Sequence, residues 1–535
     1  MPPEPPSMPL TGGPAAGAFA ASAGGTRASW WQLRVAALAA LLAAWLLGCW
    51  QLAGQSMWID EWFTNLYVDI SWDRFMPSLL ATERRPPLHY ALLKAWSMAA
   101  GHEELALRLY SVAMIVLSVA LIFALGRRLL RPQAAAAAAL LLAVSPFWLL
   151  YGRMIRAYSQ TMMLALAATL LLVIAIRGRR AWWAAYILAS AALIYTDYSG
   201  LPILAAHGVY VIGLWLGAKP RTWVALGPWL LSMVAVGLIY VPWLPAVLAA
   251  TDRTVRITDL GGGPLGFAIK LAMPLYTWSV GETIYPWNPL GTAAALTTGL
   301  LALWGLWKVW RTKHATAWLL AAWLALPLLF TATLLALVAT DITFLNAASR
   351  TPGAAPAYIL AAAAGLVAVR RRWLQIVAVI CLLGGMGAAS INYFTGVQFL
   401  NPIYALPTRE LAAELAAQAQ PGDLILSESD TLIGYYYGLH PGAAVYQDVD
   451  PQTNLAWIKE HAPRRIWLVT FGRDSTEGAF GTPELRAALE GDYAPASERG
   501  YGPVDPLYGA IKQRLTGRPA YSSKLMVEQF TAQTP

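Results

Sequence analysis

Long apolar runs, recurring from residue 34 to residue 395, constrain this chain more than any other feature. They lie at 34–54, 109–125, 133–150, 159–176, 181–195, 200–217, 222–248, 289–307, 315–339, 353–369 and 373–395. A helical bilayer crossing takes about 20 apolar residues, so these runs predict about eleven spans. Helix is the form they must take, because lipid offers no partner to an unpaired backbone group. The chain is 58% hydrophobic and 13% charged, a balance that a soluble globular fold does not require. Its net charge of +9 would suggest nucleic acid in a soluble protein. Here the basic residues cluster between the apolar runs and act as a topology signal instead. Cys49 and Cys381 both lie in apolar runs, so no disulfide framework is expected.

The connections alternate in character. Arg127, Arg128 and Arg131 form one basic set, followed by Arg177, Arg179 and Arg180, by Lys219 and Arg221, by Lys308, Arg311 and Lys313, and by Arg370, Arg371 and Arg372. These short loops hold no Asp or Glu and are assigned to the cytoplasm. The mixed connections at 55–108, 151–158, 196–199, 249–288 and 340–352 then face outward. The N-terminus falls inside and the C-terminus outside. Residues 1–29, rich in Pro, Gly, Ala and Ser, read as a disordered cytoplasmic tail. Leu46-Leu47-Gly48-Cys49 resembles a lipoprotein cleavage box, but the run's length and the many later runs favour a retained first span.

After about residue 400 the pattern changes. A helix over 407–419, a strand over 424–426, a helix over 456–461 and a strand over 466–471 predict a small α/β domain. The expected fold is thus an α-helical polytopic membrane protein of about eleven spans, with amphipathic helices on its outer face and an extracytoplasmic α/β C-terminal domain. The expected divisions are 1–29, 30–400 and 401–535.

The central halves of the runs contain no Asp, Glu, Lys or Arg, and His207, in the sixth run, is the only candidate for a charge there. Ion-coupled transporters and pumps usually bury ionisable groups at membrane depth. No internal repeat of the transporter kind is evident either. Chemistry is therefore expected at the outer surface. Gly261-Gly262-Gly263 has neither a preceding strand nor a following Lys-Ser/Thr, so it does not read as a phosphate loop.

Four outer clusters carry reactive groups. Met57-Trp58-Ile59-Asp60-Glu61-Trp62 follows the first run. Its two carboxylates suit a general base, or else they are solvated charges marking a span end. Trp58 fits either reading, since Trp populates membrane interfaces. Glu83-Arg84-Arg85-Pro86-Pro87-Leu88-His89-Tyr90 comes next. Its arginines could hold a phosphate by charge-assisted hydrogen bonds, or anchor lipid headgroups. The prolines predict a fixed turn into a helix bearing Leu88, Leu92, Leu93 and Trp96 on one face. The third cluster is Tyr151-Gly152-Arg153-Met154-Ile155-Arg156-Ala157-Tyr158, whose outward arginines oppose the charge rule. The fourth is Arg350, which could instead pair with Asp341.

In their order along the chain, these elements resemble the GT-C glycosyltransferases. The Asp-Glu pair after the first span, the Arg-Pro-Pro-Leu element, Gly101 and Arg108, and the Tyr-x-Arg-x-x-Arg-x-Tyr element carry the likeness. It is nearest to the branch of protein O-mannosyltransferases and the bacterial lipid A aminoarabinose transferase, and it covers residues 34 to about 400. The resemblance implies inverting transfer of a mannose- or pentose-like sugar from a polyprenyl-phosphate carrier to a glycan, lipid or protein acceptor outside the cytoplasm. Bacterial plasma membrane is the implied location. Asp60 would be the base, with Glu61 positioning acceptor or sugar. Arg85 would contact the carrier phosphate, and Arg153, Arg156 and Arg350 are further phosphate candidates. Trp58, Arg84, His89, Tyr90, Tyr151 and Tyr158 would line the acceptor or sugar site. The chain has Arg84-Arg85 where the aminoarabinose branch has an acidic-basic pair. No cofactor is required, because a sugar monophosphate ester carries its own leaving group, although Asp60 and Glu61 leave room for a divalent metal. The rival classes are a flippase for lipid-linked sugars and a ligase or polymerase of whole glycans. Either shares the membrane setting without needing a base at Asp60.

Overall fold

The computed structural model describes residues 30–82, 85–217, 226–251, 263–337, 348–427, 431–440, 444–448, 451–471, 482–516 and 523–533. The tail at 1–29, Arg84, Gly261, Gly262 and Asp341 lie outside the described residues. Among the described residues, eight helices are long and apolar enough to cross a membrane, and Pro132–Ala143, Ala181–Thr196 and Pro352–Ala368 are shorter apolar helices.

Helix α1 (Trp30–Cys49) packs along α5 (Glu104–Leu129) and α6 (Pro132–Ala143) but leaves most of its surface open, as a peripheral span does. Between α1 and α5 come α2 (Ile59–Asp69), α3 (Trp72–Thr82) and α4 (Leu88–Ala100). The α4 helix begins right after Pro86-Pro87, as the prolines predict. Buried Lys94 of α4 donates its ammonium to the Val68 and Ile70 carbonyls, so a cation sits at the negative end of α2.

The apolar run at 133–150 is not one continuous helix. Pro146 lacks an N–H, and the chain breaks at Ser145 before a short helix α7 (Pro146–Tyr151) whose residues are all buried. Then follow α8 (Tyr158–Ala175), α9 (Ala181–Thr196), α10 (Leu201–Gly217), α11 (Leu226–Tyr240) and α12 (Leu244–Thr251). The next helix, α13 (Gly263–Val280), differs from the outer loop expected over 249–288. Lys270 and the internal Pro274 interrupt its apolar pattern, which hides the helix from a reading of hydropathy.

The helices α14 (Pro289–Trp310), α15 (His314–Leu337), α16 (Ala355–Ala368) and α17 (Arg372–Thr395) complete the bundle. The α16 helix is buried almost throughout, and Gly365 on it meets Gly305 on α14. A Cβ added to Gly305 would lie 1.9 Å from the Ala361 carbonyl oxygen, so the two backbones touch. Small-residue contacts of this kind replace the hydrophobic effect as the packing force between helices in lipid.

Beyond residue 400 a mixed five-stranded sheet forms, in the order β2-β1-β3-β5-β4. Strands β1 (Leu424–Ser427), β2 (Val445–Asp448) and β3 (Arg465–Phe471) are parallel, whereas β5 (Ser523–Ala532) runs antiparallel to β3 and to β4 (Tyr493–Pro503). The fully buried β1 is the kind of short apolar strand that parallel pairing needs. Helix α18 (Thr408–Gln418) leads into the sheet, and α19 (Thr431–Gly438) packs on α18. One apolar cluster joins the two parts of the molecule: Met57, Leu93, Leu107 and Ile155 pack with Leu411, Leu415, Leu432 and Tyr436.

Candidate active site

Asp60 and Glu61 occupy the first turn of α2, where the exposed N–H groups of a helix favour negative charge. Their neighbouring positions send them to different surroundings. Glu61 is 2% exposed and turns into the protein. One carboxylate oxygen accepts from the Ile155 amide at 2.8 Å. The other accepts from the Trp58 amide at 3.2 Å and from Arg108 at 3.3 Å. Glu61 is therefore the tie between α2, α5 and the 152–157 loop. Both its oxygens are engaged, so the pair does not offer a metal two free carboxylates. Among the described residues, no three His, Cys, Asp or Glu side chains are grouped as a metal site.

Asp60 keeps its side chain 32% exposed and pairs with Arg156 at 3.2 Å. Burial pushes its carboxyl above the usual carboxylate range, against the opposing pull of Arg85 and Arg350. Arg156 is itself buried and fixed, donating to the Asp60 carbonyl at 3.1 Å and to Thr64 Oγ1 at 2.9 Å. Thr64 Oγ1 in turn donates to the Asp60 carbonyl at 2.8 Å. The first turn of α2 is thus clamped around the carboxylate.

Tyr158, at the start of α8, lies in the field of Asp60, Arg85, Arg350 and also Asp197. Arg85 is half-buried and Arg350 exposed. The fold therefore collects Asp60, Arg85, Arg156, Tyr158 and Arg350 from four separate stretches of chain. Arg153 stands apart from them. It donates to the Trp50 carbonyl at 2.8 Å and lies over the rings of Tyr393 and Phe394, and its charged neighbours are Arg108 and Glu61, with Cys49 beside it. Loop geometry explains the separation: residues 152–157 are not helical, so Arg153 and Arg156 do not share a face. Gly152 at the head of this loop has no room for a side chain, since a Cβ would lie 2.5 Å from Ile115 and from the Trp148 carbonyl oxygen.

The other aromatic candidates are mostly interior. Tyr90 packs edge-on to Tyr67 in a core cluster with Phe75, Leu79 and Trp243. His89 is 1% exposed, and its Nδ1 lies 3.0 Å from Gln160 Oε1. That oxygen also accepts from Tyr110, while the Gln160 amide donates to Thr196, so Nδ1 is the donor. Burial drops the His89 pKa to about 4, and the ring is neutral. Trp58 packs edge-on against Tyr404, with centroids 4.9 Å apart.

Tyr151 leads to a residue that the sequence reading missed. Its hydroxyl donates to Glu282 Oε1 at 2.6 Å. Glu282 is 1% exposed, its Oε2 has no hydrogen-bond partner among the described residues, and burial raises its pKa to about 8. Gly281 makes this approach possible. Its φ is +77°, and a Cβ there would lie 3.0 Å from the Pro146 carbonyl carbon. Tyr151 also stacks edge-on with Tyr158, centroids 5.0 Å apart, so Glu282 supports the wall beside Asp60. Two more residues were missed. Asp197 could have been noticed as an acid in a very short connection. Arg108, matched only within a sparse glycine-arginine pattern, gives no sign in the sequence that it would join Glu61 to Glu104.

A helical bundle with amphipathic helices, a carboxylate among arginines at one end and a small appended sheet defines a polytopic membrane protein of the GT-C fold. Within that class the chain resembles the protein mannosyltransferase and ArnT group: residues 84–245 match the family described as dolichyl-phosphate-mannose-protein mannosyltransferase. ArnT from Cupriavidus metallidurans, solved bound to undecaprenyl phosphate, aligns at 15% identity with a TM-score of 0.52, covering 93% of this chain and 97% of that one. The oligosaccharyltransferase of Archaeoglobus fulgidus, solved with zinc and sulfate, aligns at 11% identity with a TM-score of 0.51, covering 92% and 88%. No curated protein matches the sequence.

Proposed function

We propose that this chain is a membrane glycosyltransferase that moves a sugar from a polyprenyl-phosphate carrier to an acceptor outside the cytoplasm, inverting the anomeric carbon. One observation carries the reading: a partly open Asp60, with its pKa raised by burial, stands in the field of Arg85 and Arg350. A base is most effective when its pKa approaches the working pH, and burial moves Asp60 in that direction. The arginines supply what the departing phosphate needs, fixed positive charge in a site partly shielded from water. In the step proposed, the acceptor oxygen attacks the anomeric carbon as Asp60 takes its proton. The sugar–phosphate C–O bond breaks, and polyprenyl phosphate leaves against Arg85 and Arg350. Arg156 holds the Asp60 side chain by one oxygen and leaves the other for the acceptor hydroxyl. The bound undecaprenyl phosphate of the similar ArnT structure supports a carrier of this class. The alternation of basic and mixed connections supports a plasma-membrane protein with Asp60 on the outer side, N-terminus inside and C-terminus outside.

The test is turnover by the purified protein with a panel of undecaprenyl-phosphate-linked hexoses and pentoses. Asp60→Asn keeps the shape and removes the proton acceptor. It should bind undecaprenyl phosphate as the wild type does and lose roughly two to four orders of magnitude in turnover. Lipid-linked sugar crossing vesicles with no transfer product would instead identify a flippase. Near-normal turnover of a folded Asp60→Asn protein would remove Asp60 as base.

A further inference from the structure

The segment that delivers Asp60, residues 52–58, has no regular structure of its own beyond turns, yet several of its backbone groups are tied to distant parts of the chain. Arg108 donates to the Leu52 and Gln55 carbonyls at 2.9 and 2.8 Å. Glu61 accepts from the Trp58 amide. These ties come from the helical bundle. The others come from the appended part of the chain. Arg409, on α18, reaches the Ala53 carbonyl with its guanidinium, and its backbone N–H donates to Ser56 Oγ at 3.1 Å. Tyr436, on α19, accepts from the Met57 amide at 2.7 Å.

Glu104 joins the two sets. It pairs with Arg108 at 3.0 Å and with Arg409 on its other side, and Tyr436 also directs its hydroxyl to it. The Arg409 guanidinium lies over the Tyr436 ring, 5.3 Å from its centroid. An unbroken line of charged and polar contacts thus runs from the appended domain through Glu104 and Arg108 to Glu61, the residue next to Asp60. Such groups hold one another in a single geometry, because each lost partner leaves a buried polar group unpaired.

We infer that Arg409 and Tyr436 are positioning residues for Asp60, and that the appended α/β domain is part of the catalytic apparatus because it fixes the 52–58 segment. The inference rests on Asp60 being the base. Neither side chain need touch the substrate. Their effect arises because a reacting group displaced by about an ångström can lose on the order of a hundredfold in rate.

Tyr436→Phe removes only the hydroxyl, Arg409→Ala removes the fork, and Arg409→Lys keeps the charge that faces Glu104. All three are made in the full-length protein in detergent. Tyr436→Phe and Arg409→Ala should speed amide hydrogen exchange over residues 52–58 by roughly tenfold while leaving the span peptides unchanged. They should leave the affinity for undecaprenyl phosphate at the wild-type value. They should lower kcat by roughly tenfold or more, with KM for the donor unchanged, and Arg409→Lys should recover part of that loss. A merely structural contact would lower the thermal midpoint without separating kcat from KM. Wild-type exchange over 52–58, or faster exchange with wild-type kcat, overturns the proposal. Failure of the underlying reading has a different signature, since Asp60→Asn itself would then turn over normally.

Discussion

Glu282→Gln tests how the interior beside the site is built. In the folded protein the Glu282 carboxyl has a pKa of about 8, against 4.5 for the free group, because burial removes water from it. The folded state therefore keeps a proton that the unfolded chain releases as pH rises above about 4.5. Stability must fall with pH between those two values and level off beyond them. At about 1.4 kcal/mol per unit, the full shift amounts to about 5 kcal/mol, an upper bound that any water entering near Glu282 reduces. A glutamine keeps the oxygen that accepts from Tyr151 and cannot ionise. The variant should match the wild type near pH 5 and exceed it increasingly toward pH 8.5. The comparison is the thermal midpoint of wild type and variant in the same detergent across that range. Infrared spectra give a second reading, since the wild type at pH 7 should show a protonated-carboxyl C=O band that the variant lacks. A wild-type midpoint that tracks the variant's at every pH, with no carboxyl band lost, would refute the claim that Glu282 is held protonated.

Two further outcomes bear on the proposed function. Arg85→Ala should weaken undecaprenyl phosphate binding and slow transfer, with Arg85→Lys retaining part of both; wild-type values in both variants would make Arg85 a lipid anchor and shift attention to Arg350 and Arg156. In a background lacking Cys49 and Cys381, an impermeant thiol reagent applied from outside should label a cysteine at Glu490 and miss one at Arg371; the reverse pattern would place Asp60 on the cytoplasmic side and remove the site argument.

By itself the sequence determined the positions of most apolar helices, since lipid requires about 20 apolar residues in helical form, whatever the tertiary arrangement. The start of α4 was legible in Pro86-Pro87, and the strands at 424–427 and 465–471 in their apolar residues bounded by turn residues. The α13 helix was not legible, because Lys270 and Pro274 erase its pattern. The site divides in the same way. Local features marked the first turn of α2 and the arginine-bearing loops, where charge stands out against an apolar background. Tertiary structure alone decided which members of each cluster face one another. Adjacent helical positions point about 100° apart. That turn sends Glu61 to the Ile155 amide and leaves Asp60 partly open beside Arg156. The irregular path of residues 152–157 sends Arg153 toward Tyr393 and Arg156 toward Asp60, though the sequence places them side by side in one motif. Glu282, Arg409 and Tyr436 act from far along the chain, and no local pattern encodes a partner that only folding brings near. Spacing records which face a residue occupies within its own element, while the contacts that set charge and orientation belong to pairs of elements.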